Sequence, residues 1–316
     1  MESSAAGTEL STMLSQLLDD AEIRELHRLS GGASRETWRF EADGRPLILQ
    51  RQRAGDERDM LIEAGVVRAA GRGGAPVPEL LEARRRDDGM AFMVLEAIDG
   101  ETIARKILRD DEFAAARPRL AADFGAALAR IHSLDVDTIA GLQHTDQVEY
   151  YTGVLDGLGQ PHPVLELVRS WLIDTRPASG LTSLVHGDFR LGNMIVGPEG
   201  LRAVIDWELA HLGDPMEDLG WLCVKAWRFG ATPPVAGLGE YDDLFASYEA
   251  SGGSPIDPAV VHWWEVLGTW KWAIMCIVQA SVHLTGAARS HELAAIGRRV
   301  CENEYDLLVM LETVMT

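Results

Sequence analysis

Val185-His186-Gly187-Asp188-Phe189-Arg190-Leu191-Gly192-Asn193, followed by Ile205-Asp206-Trp207, decides how this chain is read. Asp188 stands two residues after His186, Asn193 five after Asp188, and Asp206 thirteen after Asn193. One carboxylate in such a set can accept a proton from an attacking hydroxyl. An amide oxygen and a second carboxylate are hard donors suited to Mg²⁺. The chain has only two asparagines, Asn193 and Asn303, so a chance asparagine at this offset is improbable. Leu184-Val185, Met194-Ile195-Val196 and Ala203-Val204-Ile205 are short apolar runs that read as buried strands. Pro198-Glu199-Gly200 reads as a turn. Strand, loop, strand, turn and strand would bring Asp188, Asn193 and Asp206 to one end of a hairpin.

Protein kinases place a catalytic aspartate, a metal-binding asparagine and a second metal-binding aspartate in this order and at similar spacing. The residues upstream suit such a site. Thr37–Glu41 and Pro46–Arg51 read as strands joined by Asp43-Gly44, a strong hairpin signal. Before them, Ser30-Gly31-Gly32-Ala33-Ser34 is a small-residue loop whose N–H groups could approach phosphates. A helix is expected over Asp59 to Ala70, carrying Glu63. Two further strands are expected at Val77–Leu81 and Ala91–Leu95, joined by a charged turn from Arg84 to Gly89. Residues 1–20 read as a loose or helical lead, and Ala97–Gly100 as a connector. Downstream the pattern is helical. Leu120–His132 is amphipathic, and Trp263, Leu267, Trp270, Ile274 and Ile277 repeat on one helical face that reads as core.

The 316 residues, 47% hydrophobic, suffice for two lobes, expected at 1–98 and 99–316. A net charge of −20 argues against a general nucleic-acid or anionic-membrane surface. With no long apolar run and no secretory pattern, a cytoplasmic protein is expected. Cys223, Cys276 and Cys301 are too few and too scattered for a four-cysteine zinc site, and read as reduced thiols.

The chain resembles the aminoglycoside phosphotransferase and choline kinase-like family of small-molecule kinases, in the branch related to kinase domains attached to acyl-CoA dehydrogenases. The resemblance spans about residues 25 to 310. It rests on Gly31-Gly32-Ala33-Ser34-Arg35-Glu36-Thr37-Trp38, on the Val185–Asn193 stretch, and on Val204-Ile205-Asp206-Trp207-Glu208-Leu209-Ala210-His211-Leu212-Gly213-Asp214-Pro215. It implies an α+β, two-lobed protein-kinase-like fold: a small antiparallel sheet lobe, a larger helical lobe, and ATP between them. It further implies Asp188 as catalytic base, and Asn193 and Asp206 as Mg²⁺ ligands. Gly31, Gly32, Ala33 and Ser34 would cover the phosphates, and Glu63 would pair with a phosphate-gripping cation. Glu96 to Ile98 would form the adenine hinge. His186, Asp214 and Asp218 would be scaffold, one of the two aspartates bonding the catalytic loop.

One departure stands out. Kinases grip the α- and β-phosphates with a lysine on the third strand. This chain has three lysines, Lys106, Lys225 and Lys271, and none lies on that strand. Arg51 is the expected substitute, although alternation turns it away if Gln50 faces the cleft. The expected activity is ATP- and Mg²⁺-dependent phosphorylation of a small hydroxylated molecule, with a hydroxyacyl compound or an aminoglycoside as acceptor. The alternatives are a nucleotide-binding pseudokinase without transfer, and a metallohydrolase built on His186, Asp188, Asp206, His211 and Asp214.

Overall fold

The computed structural model describes residues 2–29, 35–53, 58–86, 88–178 and 181–315. The chain opens with α1 (Glu2–Leu17), β1 (Ile23–Arg28), β2 (Arg35–Ala42) and β3 (Arg45–Gln52). Asp43 and Gly44 turn β2 into β3 at φ of 50° and 80°, the left-handed pair that a two-residue hairpin demands. α2 (Met60–Arg72), β4 (Leu80–Arg85) and β5 (Ala91–Glu96) follow. The five strands form one antiparallel sheet in the order β1-β2-β3-β5-β4. The segment expected to begin a charged turn at Arg84 instead prolongs β4 to Arg85. Exposed arginines on this edge strand discourage pairing with another chain.

Alternation gives the sheet two faces. Phe40, Leu47, Leu49, Phe92 and Val94 pack on one face against Leu10 and Leu14 of α1. The expected N-terminal lead is thus a helix covering the back of the sheet. Thr37, Ile48, Gln50, Met93 and Leu95 lie on the other face, toward a cleft. α2 begins where the Asp59 carboxylate accepts the Leu61 N–H at 3.0 Å. It buries Met60, Ala64 and Val67 in a core continuous with the helical part of the chain.

That part comprises α3 (Ala104–Arg109), α4 (Arg117–His132), α5 (Gln147–Leu158) and α6 (Pro163–Asp174). Four short strands come next: β6 (Ser183–Val185), β7 (Met194–Gly197), β8 (Gly200–Val204) and β9 (His211–Gly213). α7 (Met216–Cys223), α8 (Tyr241–Ala250), α9 (Pro258–Leu284), α10 (His291–Ile296) and α11 (Arg299–Met315) complete it. The tryptophan stripe is buried on α9, where the Trp270 indole N–H donates to Leu165 O at 2.9 Å. α7 lies close to α9 because Gly220 has no side chain. A Cβ there would come within 2.6 Å of Trp264 Cβ. This approach matters because α7 carries two residues of the site.

The expected succession of three strands is corrected in one respect. β7 and β8 form the hairpin, but β6 pairs with β9. The motif therefore sits between two small ladders. Cys223 and Cys276 are buried, Cys301 is exposed, and all three are free thiols. Among the described residues, no helix is long and apolar enough to cross a membrane.

Candidate active site

The loop between β6 and β7 is held from behind. Asp218 of α7, fully buried, accepts the N–H groups of His186 at 2.7 Å and Gly187 at 3.0 Å, and lies 3.1 Å from His132 Nε2. Burial pushes its carboxyl up, but His132, His186 and these N–H groups prevail and hold it below the usual carboxylate range. Lys271 of α9, also buried, donates to Gly187 O at 3.3 Å and lies 3.7 Å from Glu217. Gly187 is thus held at both its N–H and its C=O. It adopts φ of 81°, and a Cβ there would sit 2.5 Å from Leu209 O, so only glycine fits.

His186 ties this loop to the segment before Asp206. Its Nε2 is 3.1 Å from Ile205 O, while its Nδ1 accepts the Asp188 N–H at 3.2 Å. A carbonyl can only accept, so Nε2 carries the proton and the ring is neutral. Burial lowers its pKa in agreement. The expected scaffold role has its geometry here.

The Asp188 carboxylate accepts from Arg190 Nε at 3.0 and 3.1 Å, Asn193 Nδ2 at 2.6 Å and Trp221 Nε1 at 2.9 Å. Arg190 in turn stacks over Trp227, 5.1 Å from its centroid. These donors orient the carboxylate and leave it capacity for a further hydroxyl. Asn193 also bonds Asp188 O at 2.9 Å through Nδ2, which turns its Oδ1 away from Asp188.

Asp206 follows β8 at φ of 67°. Burial, then the carboxylates of Glu208 and Asp188, push its pKa up to about 7 against the pull of Arg35. Around it stand the carboxylates of Glu208, Asp188 and Glu63 and the guanidinium of Arg35. Among the described residues no three His, Cys, Asp or Glu side chains gather into a metal cage. Asn193 and Asp206 line the same cleft and present one amide oxygen and one carboxylate, the kind of donor Mg²⁺ takes beside substrate phosphates. The metallohydrolase cluster is not assembled. His211 is engaged by Leu209 O at 2.9 Å, Gln147 at 3.0 Å and Glu217 at 3.1 Å.

A cleft of about 450 Å³ runs between this floor and the sheet, bordered by Gln50, Glu63, Glu96, Ile98, Asn193 and Asp206. The two expected hinge residues lie on it. Gly31, Gly32, Ala33 and Ser34 fall outside the described residues. Glu63 meets Arg35, whose Nη1 donates to Glu63 Oε1 at 2.6 Å while Nη2 pairs with Oε2. Burial alone would lower the Arg35 pKa, but Glu63, Glu208 and Asp206 outweigh it and raise it. The placement of Arg51 over the cleft is corrected. It shares a face of β3 with Leu47 and Leu49, borders a groove with Leu10, Met13 and Phe92, and lies 3.9 Å from Glu36. Alternation is the reason, since Gln50 takes the cleft side.

Sequence reasoning passed over Arg35, Arg190, Trp221 and Lys271. Arg35 carried a usable signal: it shares strand parity with Thr37, which pairs with Gln50. Lys271, one of three lysines and set between Trp270 and Trp272, carried a signal too; Trp221 carried none, for it looks like core in the chain.

The pattern of the phosphotransferase enzyme family matches residues 25–252. Acyl-CoA dehydrogenase family member 10 of Mus musculus is 28% identical over 238 residues, which is 69% of this chain and 22% of that protein. The chain thus spans about a fifth of that relative's length. A Ralstonia eutropha crystal structure assigned as an aminoglycoside phosphotransferase superposes with a TM-score of 0.76 at 22% identity, covering 92% of each chain. A spectinomycin phosphotransferase solved with ADP and spectinomycin gives 0.64 at 13% identity, covering 92% of this chain and 93% of that one. These likenesses show the two-lobed protein-kinase-like fold.

Proposed function

The chain belongs to the phosphotransferase enzyme family, and from that premise we propose that it is an ATP- and Mg²⁺-dependent kinase acting on the hydroxyl of a small molecule. The observation that carries the reading is that Asn193 and Asp206 line one cleft with the buried Arg35–Glu63 pair, while Asn193 hydrogen-bonds the Asp188 carboxylate at 2.6 Å. Residues 1–98 would cover the nucleotide and 99–316 would hold the acceptor. A cytoplasmic location is part of the proposal, since ATP and Mg²⁺ are both at hand there.

In this reading Asn193 and Asp206 hold the metal, and Glu96 to Ile98 line the adenine end. Mg²⁺, when bound, neutralises charge on the β- and γ-phosphates. Asp188 receives the hydroxyl proton as the acceptor oxygen bonds to the γ-phosphorus, the bond to the bridging oxygen breaks, and ADP leaves. Arg190 and Trp221 keep Asp188 aimed, and aim is most of what such a transfer needs.

A hydroxyacyl compound is the acceptor we favour over an aminoglycoside, on the likeness to acyl-CoA dehydrogenase family member 10. The turn that presents Trp227 to Arg190 also places Lys225 and Arg228 on a surface cavity of about 840 Å³ shared with Arg105 and Arg299. There Lys225 pairs with Asp306, Arg299 with Glu302 and Arg228 with the buried Glu265, so three of the four cations are already neutralised.

ADP release tests the reading across hydroxy acids, their acyl thioesters and aminoglycosides. On an accepted substrate, Asp188→Asn should lower turnover by about 10²- to 10⁴-fold with nucleotide affinity within a few-fold. Unchanged turnover refutes the role. ATP turnover that needs Mg²⁺ and vanishes in Asp206→Ala separates a kinase from a pseudokinase.

A further inference from the structure

We propose that Arg35, entering from β2, is the phosphate-gripping cation of this cleft and does the work that a third-strand lysine does elsewhere. The inference rests on the proposed function and deepens it. β3 offers no cation on the cleft side, because Gln50 faces the cleft and Arg51 faces α1. β2 and β3 pair with Thr37 opposite Gln50 and Arg35 opposite Gln52. Arg35 is therefore diagonal to Gln50 on the same face, within reach of a long side chain. Its Nη1 comes 3.3 Å from Gln50 Oε1. The guanidinium so occupies the space that a lysine at position 50 would enter.

Its surroundings match that task. Glu63 anchors one edge of the guanidinium from α2, as the helix glutamate anchors the lysine in kinases. Glu208 lies 3.4 Å from Nη2, and Asp206 acts on the same charge. Arg35 is 6% exposed, yet its Nε–H has no hydrogen-bond partner among the described residues. A buried donor left open beside a metal-binding carboxylate is an anion position waiting to be filled. A planar guanidinium can bridge Glu63 and a phosphate at once, because its five N–H groups point in different directions.

The experiment is calorimetric titration of the full chain with Mg²⁺·ATP and, separately, with adenosine. Arg35→Gln should weaken Mg²⁺·ATP by about 10- to 100-fold, as expected for a lost charged hydrogen bond, and adenosine by less than about threefold. Adding Gln50→Lys to that variant should recover at least about tenfold for ATP, since the cation then arrives from β3. Parallel weakening of ATP and adenosine, or no weakening, overturns the proposal. If the wild-type chain binds no Mg²⁺·nucleotide, the proposed function fails and takes this inference with it. Should Arg35→Gln fail to fold, the Arg35 ¹⁵Nε resonance, assigned through Arg35→Lys, decides. It should shift with Mg²⁺·ATP and stay in place with adenosine; an identical response to both overturns the proposal.

Discussion

Removing the Asp218 carboxylate tests how the His186–Asn193 loop is held. Three donors converge on it: the N–H groups of His186 and Gly187 at 2.7 and 3.0 Å, and His132 at 3.1 Å. All of this is buried. Asp218→Ala leaves the donors unpaired, at about 1–3 kcal/mol for each orphaned group. Partial relaxation brings the total to about 3–5 kcal/mol, the range for breaking a buried charged contact. At about 2.1 cal/mol/K per residue, a chain of this length loses about 1.5 °C of Tm per kcal/mol, so the expected fall is about 5–8 °C. Asp218→Asn keeps one acceptor oxygen and should cost about 1–2 kcal/mol. The pH dependence follows from the lowered folded pKa. The carboxylate's contribution is complete above its unfolded pKa of about 3.9 and is lost as pH falls through the folded value. The gap between wild type and Asp218→Asn should thus narrow below about pH 4. Scanning calorimetry from pH 7 down to pH 3 measures both effects. An alanine variant within about 1 °C of wild type, or a gap independent of pH, refutes the reasoning.

Two further outcomes follow from the same geometry. Trp221→Phe deletes the indole donor to Asp188 while keeping an aromatic ring against Trp227. It should cut kcat about tenfold with nucleotide affinity unchanged, read by steady-state kinetics beside calorimetric titration. Lys271→Met removes the ammonium 3.7 Å from Glu217 and leaves His211, 3.1 Å away, as its remaining ion-pair neighbour. It should cost about 3 kcal/mol by urea unfolding, and adding Glu217→Gln should restore at least about 1 kcal/mol of that.

Local order in the chain was enough for much of this protein. Asp188 to Asn193 is five residues, so the proposed base and one proposed metal ligand meet through nearby backbone alone. The same holds for the Asp43-Gly44 hairpin and for α2, whose Asp59 cap and apolar spacing are read directly. The tryptophan stripe marks a buried helix, because one face of a 3.6-residue period can be recognised without knowing its partner. Two matters needed the tertiary structure. Strand parity is one. Alternation says that Gln50 and Arg51 point oppositely, but only the packing of Leu47 and Leu49 on α1 decides which of them meets the cleft. Long-range pairing is the other. Arg35 finds Glu63 across 28 residues, His186 finds Asp218 across 32, and Gly187 finds Lys271 across 84. No spacing rule spans such gaps. The partners meet because the sheet, α7 and α9 dock by burying apolar surface, and the charges are carried there with them.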